Sequence, residues 1–226
     1  MEAILILKIG ILTFHRSYNN GAILQAYALA SKLNEFGADA EIIDFRNAEI
    51  EEPTRLIQKK DKKNLKLIAK IIYRYLRHKQ IDRFIKKNLP LSGPVSSDSD
   101  FINISDNYDR YITGSDQVWN NSHIKGHKCF FLDFVKDNNK KYSYAASIGG
   151  DEKKASETIG LYSSYLEMYE AISLRETNIK DCFIASFGNK VRCDVDPVLL
   201  LKKEKWEKIA APRLHKKKVY FHVYCA

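Results

Sequence analysis

Ile9-Gly10-Ile11-Leu12-Thr13-Phe14 is an apolar, β-rich run that breaks off at His15-Arg16-Ser17-Tyr18-Asn19-Asn20-Gly21. From Ala22 the chain resumes with helical spacing: Ile23, Tyr27, Leu29, Leu33 and Phe36 fall on one side of a helix, and Gly37 stands where a C-cap belongs. A second apolar run over residues 40–45 closes a β-loop-α-β unit, which takes the right-handed crossover of a parallel sheet. The fold is therefore Rossmann-like from the start.

The same alternation returns farther along. Strands are expected at residues 108–113, 142–146, 171–174 and 191–195, with helices at 153–169 and 178–187 separating the last three. This pattern predicts an α/β class with a doubly wound parallel sheet. Two stretches depart from it. Residues 55–87 hold thirteen Lys/Arg against two Asp, so the rest of the chain is close to neutral although the total is +9. Leu65, Ile68, Ile72, Tyr75 and Leu76 recur there at helical intervals, which predicts an amphipathic helical insertion at about 53–90, packed on the sheet by that apolar face. At the other end, residues 202–210 read as a short helix, Ala211-Pro212 as a breaker and residues 218–225 as a new strand. A lone strand is no domain. The expectation is an N-terminal domain over 1–212 and, from 213, the first strand of a second, truncated one.

Composition sets the outer limits. With 226 residues, 45% apolar and 29% charged, the chain builds one large core or two modest ones and is neither disordered nor fibrous. The basic excess favours acidic partners, among them anionic lipid, phosphorylated metabolites and nucleic acid, without choosing between them. Cys129, Cys182, Cys193 and Cys225 fall into no metal-ligand or CxxC spacing, which suits a reducing cytoplasm. Residues 3–14 are too short to span a bilayer and carry Lys8 in their middle, so they read as a buried strand rather than a targeting signal.

In an open parallel sheet, ligands bind at the carboxyl ends of the strands, where loops lead into helix N-termini. The residues at those ends are Thr13, His15, Arg16, Asn19, Asn20 and Gly21 after the first strand, and Gly114, Ser115, Asp116 and Gln117 after the strand at 108–113. Ser147 with Gly149, Arg175 with Glu176, and Asp194 with Asp196 follow the later strands. His15 is either a general acid or base or a hydrogen-bonded loop residue. Asn19 or Asn20 would cap the following helix, Ser115 reads as an N-cap, and Asp116 as either a first-turn acid or a base. Trp119 reads as packing. Arg175 would clamp a carboxylate or phosphate, or pair with an acid. Asp44, twenty-three residues after Gly21, stands roughly where a ribose-binding acid would sit, but no GxGxxG precedes it. GxxxxGK[ST] and HExxH are absent too, and the basic segment lacks the interleaved aromatics of a single-strand platform. Nucleotide hydrolysis, zinc proteolysis and specific nucleic-acid recognition all lose ground.

Together these residues resemble the polysaccharide pyruvyl transferase family. The matching stretches are Gly10-Ile11-Leu12-Thr13-Phe14-His15 running into Asn19-Asn20-Gly21-Ala22-Ile23-Leu24-Gln25-Ala26-Tyr27-Ala28-Leu29, then Tyr108-Asp109 with Ile112-Thr113-Gly114-Ser115-Asp116-Gln117-Val118-Trp119-Asn120. Phe131-Leu132-Asp133-Phe134, Tyr144-Ala145-Ala146-Ser147, Ser173-Leu174-Arg175-Glu176 and Asp196-Pro197-Val198-Leu199-Leu200 follow in the family's order. The resemblance implies the N-terminal half of a glycosyltransferase-B-like fold, with phosphoenolpyruvate as donor and a sugar or lipid-linked glycan as acceptor, in bacterial surface-glycan synthesis. It implies catalytic roles for Asp116 and His15. Asn19, Asn20, Gly21, Gly114, Ser115, Gln117, Ser147, Arg175, Glu176 and Arg16 would hold substrate, with no metal or redox cofactor required. A cytoplasmic location is expected, with the basic segment possible as a peripheral contact to an anionic membrane. Two rival readings stay open: a sugar-nucleotide glycosyltransferase of the same architecture, and a non-catalytic glycan-binding or assembly module.

Overall fold

The computed structural model describes residues 6–51 and 65–210. Along the chain run β1 (Lys8–Leu12), α1 (Asn20–Glu35), β2 (Asp39–Phe45), α2 (Ala48–Glu51), α3 (Leu65–Asn88), β3 (Leu91–Val95), α4 (Asp98–Ile104) and β4 (Arg110–Thr113). Then come α5 (Asn121–Ile124), β5 (Lys141–Ser143), α6 (Glu152–Leu166), β6 (Ile172–Leu174), α7 (Lys180–Phe187), β7 (Val191–Cys193) and α8 (Lys203–Ile209). The strand order is β3-β2-β1-β4-β5, every pairing parallel, with β1 at the centre. The parallel pair β6-β7 extends the layer through bridges from Tyr142 to Ala171 and from Ala146 to Leu174. This is the Rossmann-like α/β arrangement expected of the sequence.

Parallel strands covered on both faces need apolar side chains in both directions. Ile9, Ile11 and Ile42 pack with Ile23, Ala26 and Leu29 of α1 and with Ile81 and Ile85 of α3. Leu12, Ile43 and Tyr111 join the larger core on the opposite face, around Trp119, Phe130, Phe131 and Phe183. Gly10 has no side chain because a Cβ there would lie 2.9 Å from the Tyr108 ring. Trp119 is fully buried, stacked parallel to Phe131 and Phe183, and its indole N–H donates to the Phe130 carbonyl at 3.1 Å. Packing is its role, as the sequence suggested, and cutting it to Ala would cost about 3–5 kcal/mol.

Helix α1 starts earlier than its periodicity indicated. The Asn19 side chain accepts from the Gly21 amide at 2.9 Å, so Asn20 and Gly21 belong to the first turn rather than to the loop. Gly37, at φ +89°, ends the helix. Four elements had no expectation: the single turns α2 and α5, the strand β3 and the helix α4. β3 escaped notice because Gly93 and Pro94 interrupt it, which an edge strand tolerates. α4 rests on a capping box between Ser97 and Asp100.

The basic segment requires a correction. Its helix forms as α3, and it is the crossover that connects the parallel strands β2 and β3. The packed side chains are Ile81, Ile85 and Leu89, whereas Ile68, Ile72, Tyr75 and Leu76, expected to face the sheet, are all more than half exposed. The expected strand at 218–225 and the second domain it would open lie outside the described residues. Among those described, no helix is long and apolar enough to cross a membrane.

Candidate active site at the carboxyl edge of the sheet

The order of the strands reverses between β1 and β4, the switch point at which sheets of this class take their ligands. A short chain of hydrogen bonds ties together the two loops that follow these strands. Thr13 Oγ1 donates to the Ser115 carbonyl at 2.6 Å, and Gln25 Nε2, from α1, donates to Thr13 Oγ1 at 2.9 Å. Gly114 packs against the Thr13 side chain, and Ser115 is wholly buried. Ser115 caps no helix, contrary to expectation: its hydroxyl is buried without a hydrogen-bond partner, and the next helix, α5, is capped by Asn120.

On the β4–β5–β6 side the groups converge. Asp116 is in no helical turn; it adopts φ +84°, a conformation costing on the order of 1 kcal/mol for a residue with a Cβ. One of its carboxylate oxygens accepts from the Gln117 amide at 2.8 Å. Burial raises the pKa of this carboxyl, while the Gln117 amide and the charges of Arg175 and His123 oppose the rise. Beyond it, the Ser147 hydroxyl bonds to Glu176, whose same oxygen lies 3.2 Å from the Gly149 amide. The other oxygen of Glu176 is buried without a hydrogen-bond partner. Gln117 is held by Asn120, whose amide donates to its Oε1 at 2.8 Å, and a Cβ on Gly149, at φ +63°, would lie 2.4 Å from that oxygen. Arg175 reaches Asp196 at 3.4 Å and stays about 29% exposed. Most of its five N–H donors are thus free for an anion. Lys154 Nζ, at the start of α6, donates to the Gly149 carbonyl at 3.0 Å.

The β1–β2 side is different. His15 is 1% exposed, with Nδ1 at 3.0 Å from the Thr13 carbonyl and Nε2 at 3.0 Å from Asp44. Asp44 also takes two bonds from Arg16, at 2.5 and 2.8 Å, and two from Arg46, at 3.0 and 2.7 Å. Burial works against the Asp44 charge, but these hydrogen bonds outweigh it and hold the carboxyl well below the usual range. Asp44 is 2% exposed and fully engaged, so it meets no ribose. His15 and Arg16 share the edge with Asp116, yet their polar atoms turn inward onto Asp44. A cavity of about 20 Å³ beside them, lined by Phe14, Arg16, Asn47 and Phe130, has room for a water molecule and little more.

Sequence reasoning named the strand-end residues and missed those that hold them: Gln25 under Thr13, Asn120 behind Gln117 and Arg46 on Asp44. Gln25 stood inside the quoted motif, and its position in an otherwise apolar helix face was the available signal. The main-chain conformation of Asp116 had no signal at all.

The fold and the site define a parallel α/β protein whose strand ends carry a half-buried carboxyl and a guanidinium, at the edge where sheets of this class take their ligands. Residues 19–225 match the family model for polysaccharide pyruvyl transferase. The chain belongs to that family, and its function is polysaccharide pyruvyl transferase-like. Comparisons with curated proteins and with solved structures give no match.

Proposed function

We propose that this protein transfers the pyruvyl group of phosphoenolpyruvate to two hydroxyls of a sugar, free or lipid-linked, forming a ketal and releasing phosphate. Addition of a proton to the methylene carbon leaves a cationic centre. One sugar oxygen bonds to that carbon, the bond to phosphate oxygen breaks, and the second hydroxyl closes the ring. Of the two hydroxyl protons, one ends on the new methyl group and the other leaves with phosphate, so atoms balance without an oxidant or reductant.

Asp116 is the group through which a hydroxyl proton passes: burial lifts its basicity toward the range where proton transfer is efficient. Arg175 holds the phosphate or carboxylate of the donor, and Gln117, Ser147 and Glu176 orient the acceptor. His15 and Arg16 act as supports, through Asp44, for the loop that forms the opposite wall. The observation that carries the reading is the half-buried Asp116, held at positive φ after β4, with the charge of Arg175 acting on its carboxyl from the end of β6. The test is acceptor-dependent phosphate release from phosphoenolpyruvate by the full-length chain. Asp116→Asn, with the fold verified by circular dichroism, should lower turnover at least about 100-fold. Undiminished turnover removes Asp116 from the chemistry, and release of a nucleoside diphosphate from a sugar nucleotide instead would replace the donor.

A further inference from the structure

Helix α3 divides into two halves along its length. Ile81 and Ile85 seat its second half on the sheet, and the His78 ring stacks on Tyr18 of the β1–α1 loop, 3.6 Å between centroids. Because β2 and β3 are parallel, the crossover helix runs back against them, and its first half stands at the carboxyl edge, where the candidate site lies. Thirteen residues precede His78, so about 20 Å of helix rises past the loop it stacks on.

The outward face of this helix carries Ile68, Ile72, Tyr75 and Leu76, then Lys79, Arg83 and Lys86, each three or four residues from another of the set. The four apolar side chains are 51–60% exposed, and Tyr73 beside them 66%. The helix carries eight Lys/Arg and one acid, Asp82, which lies beside the Tyr18 hydroxyl, and residues 55–63 add five further Lys/Arg in sequence.

We infer that the outward face of α3 docks on an anionic lipid surface, with Ile68, Ile72, Tyr75 and Leu76 entering the headgroup boundary and Lys79, Arg83 and Lys86 on the headgroup phosphates. An apolar stripe by itself would suit many partners. One bordered by this much positive charge repels a second copy of itself and complements an anionic bilayer, in which an amphipathic helix lies in the plane of the interface. Docking is independent of the transfer chemistry. Its consequence rests on the pyruvyl-transfer reading: the strand-end site would be held within reach of an acceptor carried on lipid.

The experiment is co-sedimentation of the full-length chain with vesicles of phosphatidylcholine alone and of phosphatidylcholine with an equal part of phosphatidylglycerol, at low and high salt. Acceptor-dependent phosphate release on a soluble sugar is measured in parallel. Binding should require phosphatidylglycerol and fall with salt. Ile72→Ser with Leu76→Ser should weaken it at least about tenfold, and Lys79→Gln with Arg83→Gln by about fivefold per charge removed. All these substitutions are at exposed positions, and turnover on the soluble sugar should stay unchanged, which separates docking from catalysis. Three outcomes overturn the inference: binding equal on both vesicles or absent, loss only in the charge variant, which would make the helix a general polyanion surface such as nucleic acid uses, and a dimer in light scattering abolished by Ile72→Ser with Leu76→Ser.

Discussion

The two halves of the strand-end rim are built from the same kinds of residue and end in opposite states. Around Asp44, one carboxylate meets His15 and two arginines; each of its oxygens is used and the group is 2% exposed. Around Asp116, one carboxylate oxygen has a main-chain donor, Arg175 is only lightly held, and Ser115 and Glu176 keep buried oxygens without partners. A closed network of buried charge supports a loop. An open one retains the capacity to bind and to exchange a proton, and its residual strain is the usual mark of a working site. Opposed shifts of the two carboxyls, Asp44 down and Asp116 up, express the same contrast.

The contrast breaks most visibly in Asp44→Ala. Leaving Arg16, Arg46 and His15 without their shared anion should lower stability by about 3–5 kcal/mol, measured by urea denaturation, and turnover should fall only with the folded fraction. Asp116→Asn should do the reverse, with turnover reduced at least about 100-fold and the fold retained, since Asn tolerates positive φ. Gly149→Ala lies between them: a Cβ at φ +63° would meet Gln117, so stability should drop by about 1–3 kcal/mol and turnover with it. The smallest change is Ser115→Ala, neutral to stabilising by under about 1 kcal/mol because the lost hydroxyl has no partner. A raised KM in that variant would place Ser115 on the substrate.

Acid titration sharpens the comparison further. The folded-state pKa of Asp44 lies below its unfolded value, so its stabilisation is present above the ordinary carboxylate range and is lost as pH falls from about 4 toward the folded value. Asp116 has the opposite sign: its charged form is disfavoured in the fold, and stability falls as pH rises through the unfolded value. Urea midpoints of the parent chain and of Asp116→Asn should therefore agree near pH 3 and separate above about pH 4, with the variant the more stable.

Strand and helix positions were legible wherever apolar periodicity was strong. β1, α1, β2 and α7 lie within a few residues of their expected places, and the family motifs pointed to the residues along the edge. β3 was hidden because Gly93 and Pro94 carry no strand signal, and an edge strand needs none. The apolar row of α3 was seen correctly and assigned to the wrong surroundings: periodicity states which side chains share a face, not which face is covered. His15 was read from its place at a strand end, where only the Asp44 side chain decides whether the ring looks out or in.

The order of apolar runs and punctuating loops is enough to determine a parallel α/β layer, since a strand buried on both sides and a one-faced helix leave different local periods in the chain. What each edge residue does was decided only in three dimensions. Asp44 and Arg16 are twenty-eight positions apart, and Ser147 and Glu176 twenty-nine. The partner that closes a charge, or leaves it open, comes from another strand, and its arrival depends on a register and a backbone turn that no single stretch of sequence contains.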